Sequence, residues 1–111
     1  TKDVAVQPAG TGAFSAFGQT VRADAGDNIR YRITIANGAP SGSTTAFDVT
    51  LSDQLPTANF SGGATAFTLV SVDTTGTGTV RRDGAPHTLT TADFEITAGG
   101  VLRLNQAFRY D

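Results

Sequence analysis

The clearest pattern of hydrophobic and polar positions lies at residues 27–35, where Ile29, Tyr31, Ile33 and Ile35 alternate with Arg30, Arg32 and Thr34. A period of two in β-branched and aromatic residues predicts a strand with one buried face and one wet face. Gly26 and Asp27 open it, and Asn37, Gly38, Ala39 and Pro40 close it with residue types suited to turns. A second alternation runs over residues 47–53, with Phe47, Val49 and Leu51 on one face and Asp48, Thr50 and Ser52 on the other. Pro56 then stops the ladder, because proline has no amide hydrogen to donate. Further strands are predicted at residues 66–72, 79–82, 94–97 and 101–104, with reversals at 83–86 and at the Gly99-Gly100 pair. A lead strand is expected at residues 3–7, a glycine-rich stretch at 8–18, and a threonine–glycine loop at 73–78. The one helical turn in the pattern falls near residues 91–95. About seven short strands separated by turn residues imply an all-β Greek-key β-sandwich. The expected organisation is a single domain over 1–111, with residues 1–20 forming the lead strand and glycine-rich segment and 21–111 the sandwich body.

Composition narrows the function classes. The chain has 111 residues, 39% hydrophobic and 16% charged, with a formal net charge of −2. That balance gives a single small core and removes the long-range attraction that nucleic-acid binders rely on. No apolar run approaches the roughly 18 residues needed to span a bilayer. The absence of cysteine removes disulfides and thiolate metal sites, and is equally at home in the cytoplasm and on a microbial surface.

The ordered pair Gly26-Asp27-x-Ile29-x-Tyr31-x-Ile33-Thr34-Ile35-x-Asn37 and Ala46-Phe47-Asp48-Val49-Thr50-Leu51-Ser52-Asp53-x-Leu55-Pro56 resembles the surface repeat called domain of unknown function eleven. That repeat occurs in long bacterial and archaeal surface proteins. Residues 67–72 are similar to the strand that usually follows. The resemblance implies an immunoglobulin-like sandwich acting outside the cell as a stalk, spacer or adhesive module, and it brings no catalytic residues. The family usually ends in a further alternating strand, whereas this sequence stops at Ala107-Phe108-Arg109-Tyr110-Asp111. A sandwich lacking its own last strand would have a vacant edge that recruits a strand from another chain. The expected partner is a second copy, whose lead strand or tail fills the groove and builds a head-to-tail polymer, with Val4, Val6, Phe14 and Phe17 as interface residues. A chain cut short of that strand would read identically and act as a spacer between neighbouring repeats.

Candidate chemistry is sparse. His87 is the only histidine, sits in a turn-like Ala85-Pro86-His87-Thr88, and has no Gly-x-Ser-x-Gly elbow to serve, so it reads as a loop residue and no catalytic residue is assigned. The Gly10-Thr11-Gly12 and Gly76-Thr77-Gly78 segments lack the following lysine and helix that phosphate cradles need. Asp24, Asp27 and Asn28 gather oxygens in a turn, but without the spacing of a calcium loop they read as turn formers, and no metal or cofactor is assigned. Lys2, the only lysine, is a candidate for an amide cross-link of the kind that stiffens related surface sandwiches. Asn59-Phe60-Ser61 satisfies the N-glycosylation pattern. Arg22, Arg30, Arg32, Arg103 and Arg109 could form a basic patch, and Phe14, Phe17 and Phe60 are the aromatics available to a carbohydrate-binding alternative. The sequence reading is thus a non-enzymatic extracellular module, a subunit or repeat of a filament, stalk or adhesin. Its alternative is an adhesion module that binds a surface glycan or a protein.

Overall fold

The computed structural model describes residues 1–37, 45–75 and 79–110. The Gly76-Thr77-Gly78 segment, part of the turn expected after Asn37, and Asp111 lie outside the described residues. The chain is all-β, with antiparallel strands and three short 3-10 turns among the described residues. It divides into two compact units, Thr1–Ala36 and Asn37–Asp111.

In the first unit, β1 (Lys2–Gln7) pairs antiparallel with β2 (Asn28–Ile33), from Lys2 opposite Ile33 to Gln7 opposite Asn28. The alternation is realised in β2, where Ile29, Tyr31 and Ile33 are half-buried and Asn28, Arg30 and Arg32 are exposed. Ile35 lies beyond the strand and is 37% exposed. The glycine-rich stretch does more than loop. It returns along the other edge of β1, where Val4 and Gly18 exchange N–H···O bonds of 2.8 and 2.9 Å, and the Ser15 N–H donates to the Val6 carbonyl at 2.7 Å. The Val6 N–H in turn donates to Ser15 Oγ at 3.1 Å. The outward amides and carbonyls of Val4 and Val6 are therefore satisfied within the same chain, as buried backbone groups require.

The second unit holds two sheets. One runs in the order β3 (Ala46–Val49), β9 (Phe108–Tyr110), β5 (Val80–Arg82) and β6 (Ala85–Pro86). The other runs β4 (Ser52–Gln54), β8 (Val101–Leu104) and β7 (Phe94–Ile96). Both sheets supply its core. Leu89, Leu104 and Phe108 are buried together, and Val49, Leu51, Val72, Val80, Phe94 and Tyr110 pack against them.

Two predicted strands differ from the observed ones. The alternation at 47–53 is split into β3 and β4, and β3 carries an extra residue. Ala46 lies opposite Tyr110 and Val49 opposite Phe108, so three steps on one strand match two on the other. Asp48 absorbs the excess with a φ of 50°. A one-residue bulge reverses which face the next side chain takes. Val49 and Leu51 keep to the core, whereas Phe47 is turned out and is 69% exposed. Residues 66–72 form no strand. A 3-10 turn, Gly63–Ala66, is followed by extended chain without a ladder, and Val70 is 67% exposed. β-propensity describes fit within a ladder, and here no described strand pairs with the segment, although Val72 packs on the core.

The reversal expected at 83–86 is made by its first two residues, and Ala85 and Pro86 pair with β5 as β6. Asp83 and Gly84 both have positive φ, 51° and 79°, as a two-residue turn between β5 and β6 demands. The β7–β8 connection closes with the Gly100 N–H donating to the Thr97 carbonyl at 2.9 Å, and Gly100 has a φ of 82°. A Cβ on Gly100 would collide with the Thr57 Cγ2 methyl, while one on Gly99 would meet nothing closer than Thr97 Oγ1 at 3.8 Å. Gly100→Ala is therefore expected to lower stability by about 2–4 kcal/mol in urea unfolding, and Gly99→Ala by well under about 1 kcal/mol.

Candidate functional site

The one cluster of buried titratable chemistry among the described residues gathers around Asp93. A 3-10 turn, Thr91–Asp93, precedes β7, and its third residue reaches back so that the Thr90 N–H donates to Asp93 Oδ2 at 2.7 Å. This is the acidic half of a capping box, which satisfies an amide the turn would leave orphaned. The other carboxylate oxygen, Oδ1, accepts from Arg82 Nη1 at 2.6 Å. His87 Nε2 lies 3.1 and 3.2 Å from the two oxygens, within hydrogen-bond distance of both. The second arm of Arg82, Nη2, donates to the Gln106 carbonyl at 2.8 Å. The Asn105 N–H donates to the Asp93 carbonyl, and Asn105 Nδ2 to the Ala92 carbonyl, both at 2.9 Å. The Thr90 amide holds the Asp93 carboxyl below the ordinary carboxylate range; burial opposes this, and His87 and Arg82 reinforce it.

This arrangement orders chain. In a nucleophilic triad one imidazole nitrogen holds the carboxylate and the other meets a hydroxyl. Here Nε2 is engaged with Asp93, and no hydroxyl among the described residues bonds to the other ring nitrogen. The carboxylate's charge is shared with Arg82 instead. His87, expected as a loop residue, is in fact half-buried within this cluster. The sequence carried one signal of it. Thr90-Thr91-Ala92-Asp93 ahead of the apolar Phe94 has the spacing of a capping box.

Lys2, Val4, Val6, Arg30 and Arg32 lie on the β1–β2 ladder, and Phe14 and Phe17 meet it through the two arginines. Val4 lies opposite Tyr31 and Val6 opposite Ile29. The Arg30 guanidinium stacks on the Phe14 ring, 4.1 Å from its centroid, and Arg32 on Phe17 at 4.2 Å. Arg32 also donates to Asp3 Oδ2 at 2.8 Å, and Gln19 Nε2 donates to Asp3 Oδ1 at the same distance. Lys2 is exposed, with its ammonium 5.0 Å from the centroid of the Tyr31 ring. Asp27 serves as a turn former, accepting the Asp24 N–H at 2.8 Å and the Ala9 N–H at 2.9 Å. Those two amides, Asp24 first, lower its pKa. Asn28 donates to Gln7 Oε1. No group of three or more metal-ligating acidic or histidine side chains comes together among the described residues.

The remaining candidates are dispersed. Thr11 closes a turn, with both its N–H and its hydroxyl donating to the Pro8 carbonyl. Asn59 is exposed at the end of the 3-10 turn Thr57–Asn59, and Phe60 is half-buried, edge-to-face with Phe67 at 4.8 Å. Arg22 is exposed, Arg103 pairs with Glu95 across β7 and β8, and Arg109 lies 5.9 Å from the centroid of the Phe47 ring. No helix among the described residues is long and apolar enough to cross a membrane. The chain matches no protein-family model, no curated protein and no solved structure.

Because Asp93 has a lowered pKa when folded, the stability it contributes is present above its unfolded value near 3.8 and is lost as pH falls through the folded one. Asp93→Asn leaves Arg82 without its counter-charge and is expected to cost about 3 kcal/mol near neutral pH. In urea unfolding followed against pH, the gap between the two proteins is expected to narrow below pH 3.8.

Proposed function

We propose that this chain is a non-enzymatic structural module of a cell surface, a subunit or repeat of an extracellular filament, stalk or adhesin. Its fold on this reading is an immunoglobulin-like Greek-key sandwich, a description supported by two antiparallel sheets that share the core around Leu89, Leu104 and Phe108. The observation that carries the structural role is the Asp93 carboxylate, closed on Thr90, Arg82 and His87 so that it ties three segments of chain together. The surface location rests on the resemblance of residues 26–56 to the repeat family.

The assembly mechanism on this reading is pairing between copies, with no chemistry turned over. Strand donation by β1 takes the form of an exchange, since both edges of β1 are already bonded within the chain, to β2 and to the Ser15–Gly18 stretch. Phe14 and Phe17 favour this reading over glycan binding, because each already has a guanidinium on its ring. Light scattering and negative-stain microscopy of the 111-residue chain are expected to show oligomers or filaments that grow with concentration. A monomer at every concentration would overturn the self-assembling reading.

A further inference from the structure

We propose that copies join head to tail through the Phe47–Asp48 bulge of one copy and the Arg30–Phe14 pair of the next. The proposal rests on the self-assembling reading above and adds to it a side-chain contact distinct from exchange of β1.

Two rungs of β2 are alike except in one respect. Arg32 is stacked on Phe17 and its charge is met by Asp3 at 2.8 Å. Arg30, two residues earlier on the same exposed face, is stacked on Phe14, but its cross-strand partner is Ala5. Among the described residues Arg30 has no carboxylate and no hydrogen-bond acceptor. The neighbouring rung shows what would complete it, a carboxylate bonded to a guanidinium that also stacks on a ring. Stacking fixes the planar fork, so a carboxylate can be met in the bidentate geometry arginine favours.

The second unit presents the complement. The β3 bulge turns two consecutive side chains to solvent, the Phe47 ring, 69% exposed, and the Asp48 carboxylate, which has no partner among the described residues. Asp48 takes a left-handed φ of 50° to do so. Phe47 already shows the relevant chemistry in its own chain, with the Arg109 guanidinium 5.9 Å from its ring centroid. Overall charge points the same way. The first unit carries four basic side chains against three acidic ones, and the second carries four against seven. Net charges of opposite sign on the two units of one chain favour a second copy as the occupant. Because the two surfaces differ, a copy bound through one of them still offers the other, so the contact can be repeated from copy to copy.

The test compares the wild-type chain with Arg30→Glu, Asp48→Asn and the double variant Arg30→Glu/Asp48→Lys, with folding checked by circular dichroism. Asparagine is chosen because it tolerates the left-handed backbone at position 48. Each single variant is expected to raise the concentration of half-assembly by about tenfold or more, and the charge-swapped double variant to restore much of the loss. Wild-type assembly that both single variants reproduce unchanged would overturn this interface and leave self-assembly standing. A wild type that stays monomeric would overturn both. Binding of polygalacturonate that is lost in Arg30→Glu but kept in Asp48→Asn, without assembly, would assign the Arg30 site to an acidic saccharide and overturn the proposal.

Discussion

The larger unit depends on one carboxylate. Asp93 sits where the turn leading into β7 must stop, and its two oxygens take the Thr90 amide, the Arg82 guanidinium and the His87 ring. Arg82 belongs to β5 of one sheet and Asp93 leads into β7 of the other, so this ion pair spans both sheets. A buried charge is costly unless each of its lone pairs is met, and removing one partner strands the rest. The Gln106 carbonyl on Arg82 extends the same tie to the approach of β9. Strands of two to four residues bury little by themselves, which is why an ion pair of this geometry has so much to hold.

The smaller unit solves the same shortage of apolar surface differently. Only Ala5 and Val6 of its two strands are buried. Val4, Ile29, Tyr31 and Ile33 are half-buried, and the charged heads of Lys2, Arg30 and Arg32 lie over the rings of Tyr31, Phe14 and Phe17. Phe14 and Phe17 are brought to Arg30 and Arg32 because the glycine-rich stretch runs back beside β1, held there by the Val4–Gly18 and Val6–Ser15 bonds. In both units, arginine acts as packing material as well as charge.

What the sequence made legible follows from what is local. The alternation of β2, the Asp83-Gly84 turn, the Gly99-Gly100 hairpin and the turn at 91–93 each depend on a few adjacent residues whose backbone preferences agree. The Arg82–His87–Asp93 cluster was not legible as a site, because its members meet only once β5, β6 and the turn before β7 are in place, though the capping-box spacing marked one corner of it. Residues 66–72 have strand composition but pair with no described strand, and composition cannot report a missing ladder. The return of residues 15–18 along β1 was likewise hidden, since glycine and serine announce a turn more readily than an edge.

The failure at Phe47 is of another kind. Alternation places Phe47, Val49 and Leu51 on one face, and a β3 without an excess residue would bury all three. The structure keeps the two aliphatic residues against the core and gives up the ring, with Asp48 held in a backbone conformation that most residues avoid. Natural sequences are locally consistent as a rule, and departures that expose a large ring and strain a backbone gather where a surface is used. An edge strand also carries a hazard, since its unpaired amides invite any other strand. A bulge with an outward acid both breaks that template and charges it. The same residue pair thus discourages indiscriminate strand addition along β3 and leaves a defined aromatic–carboxylate feature in its place.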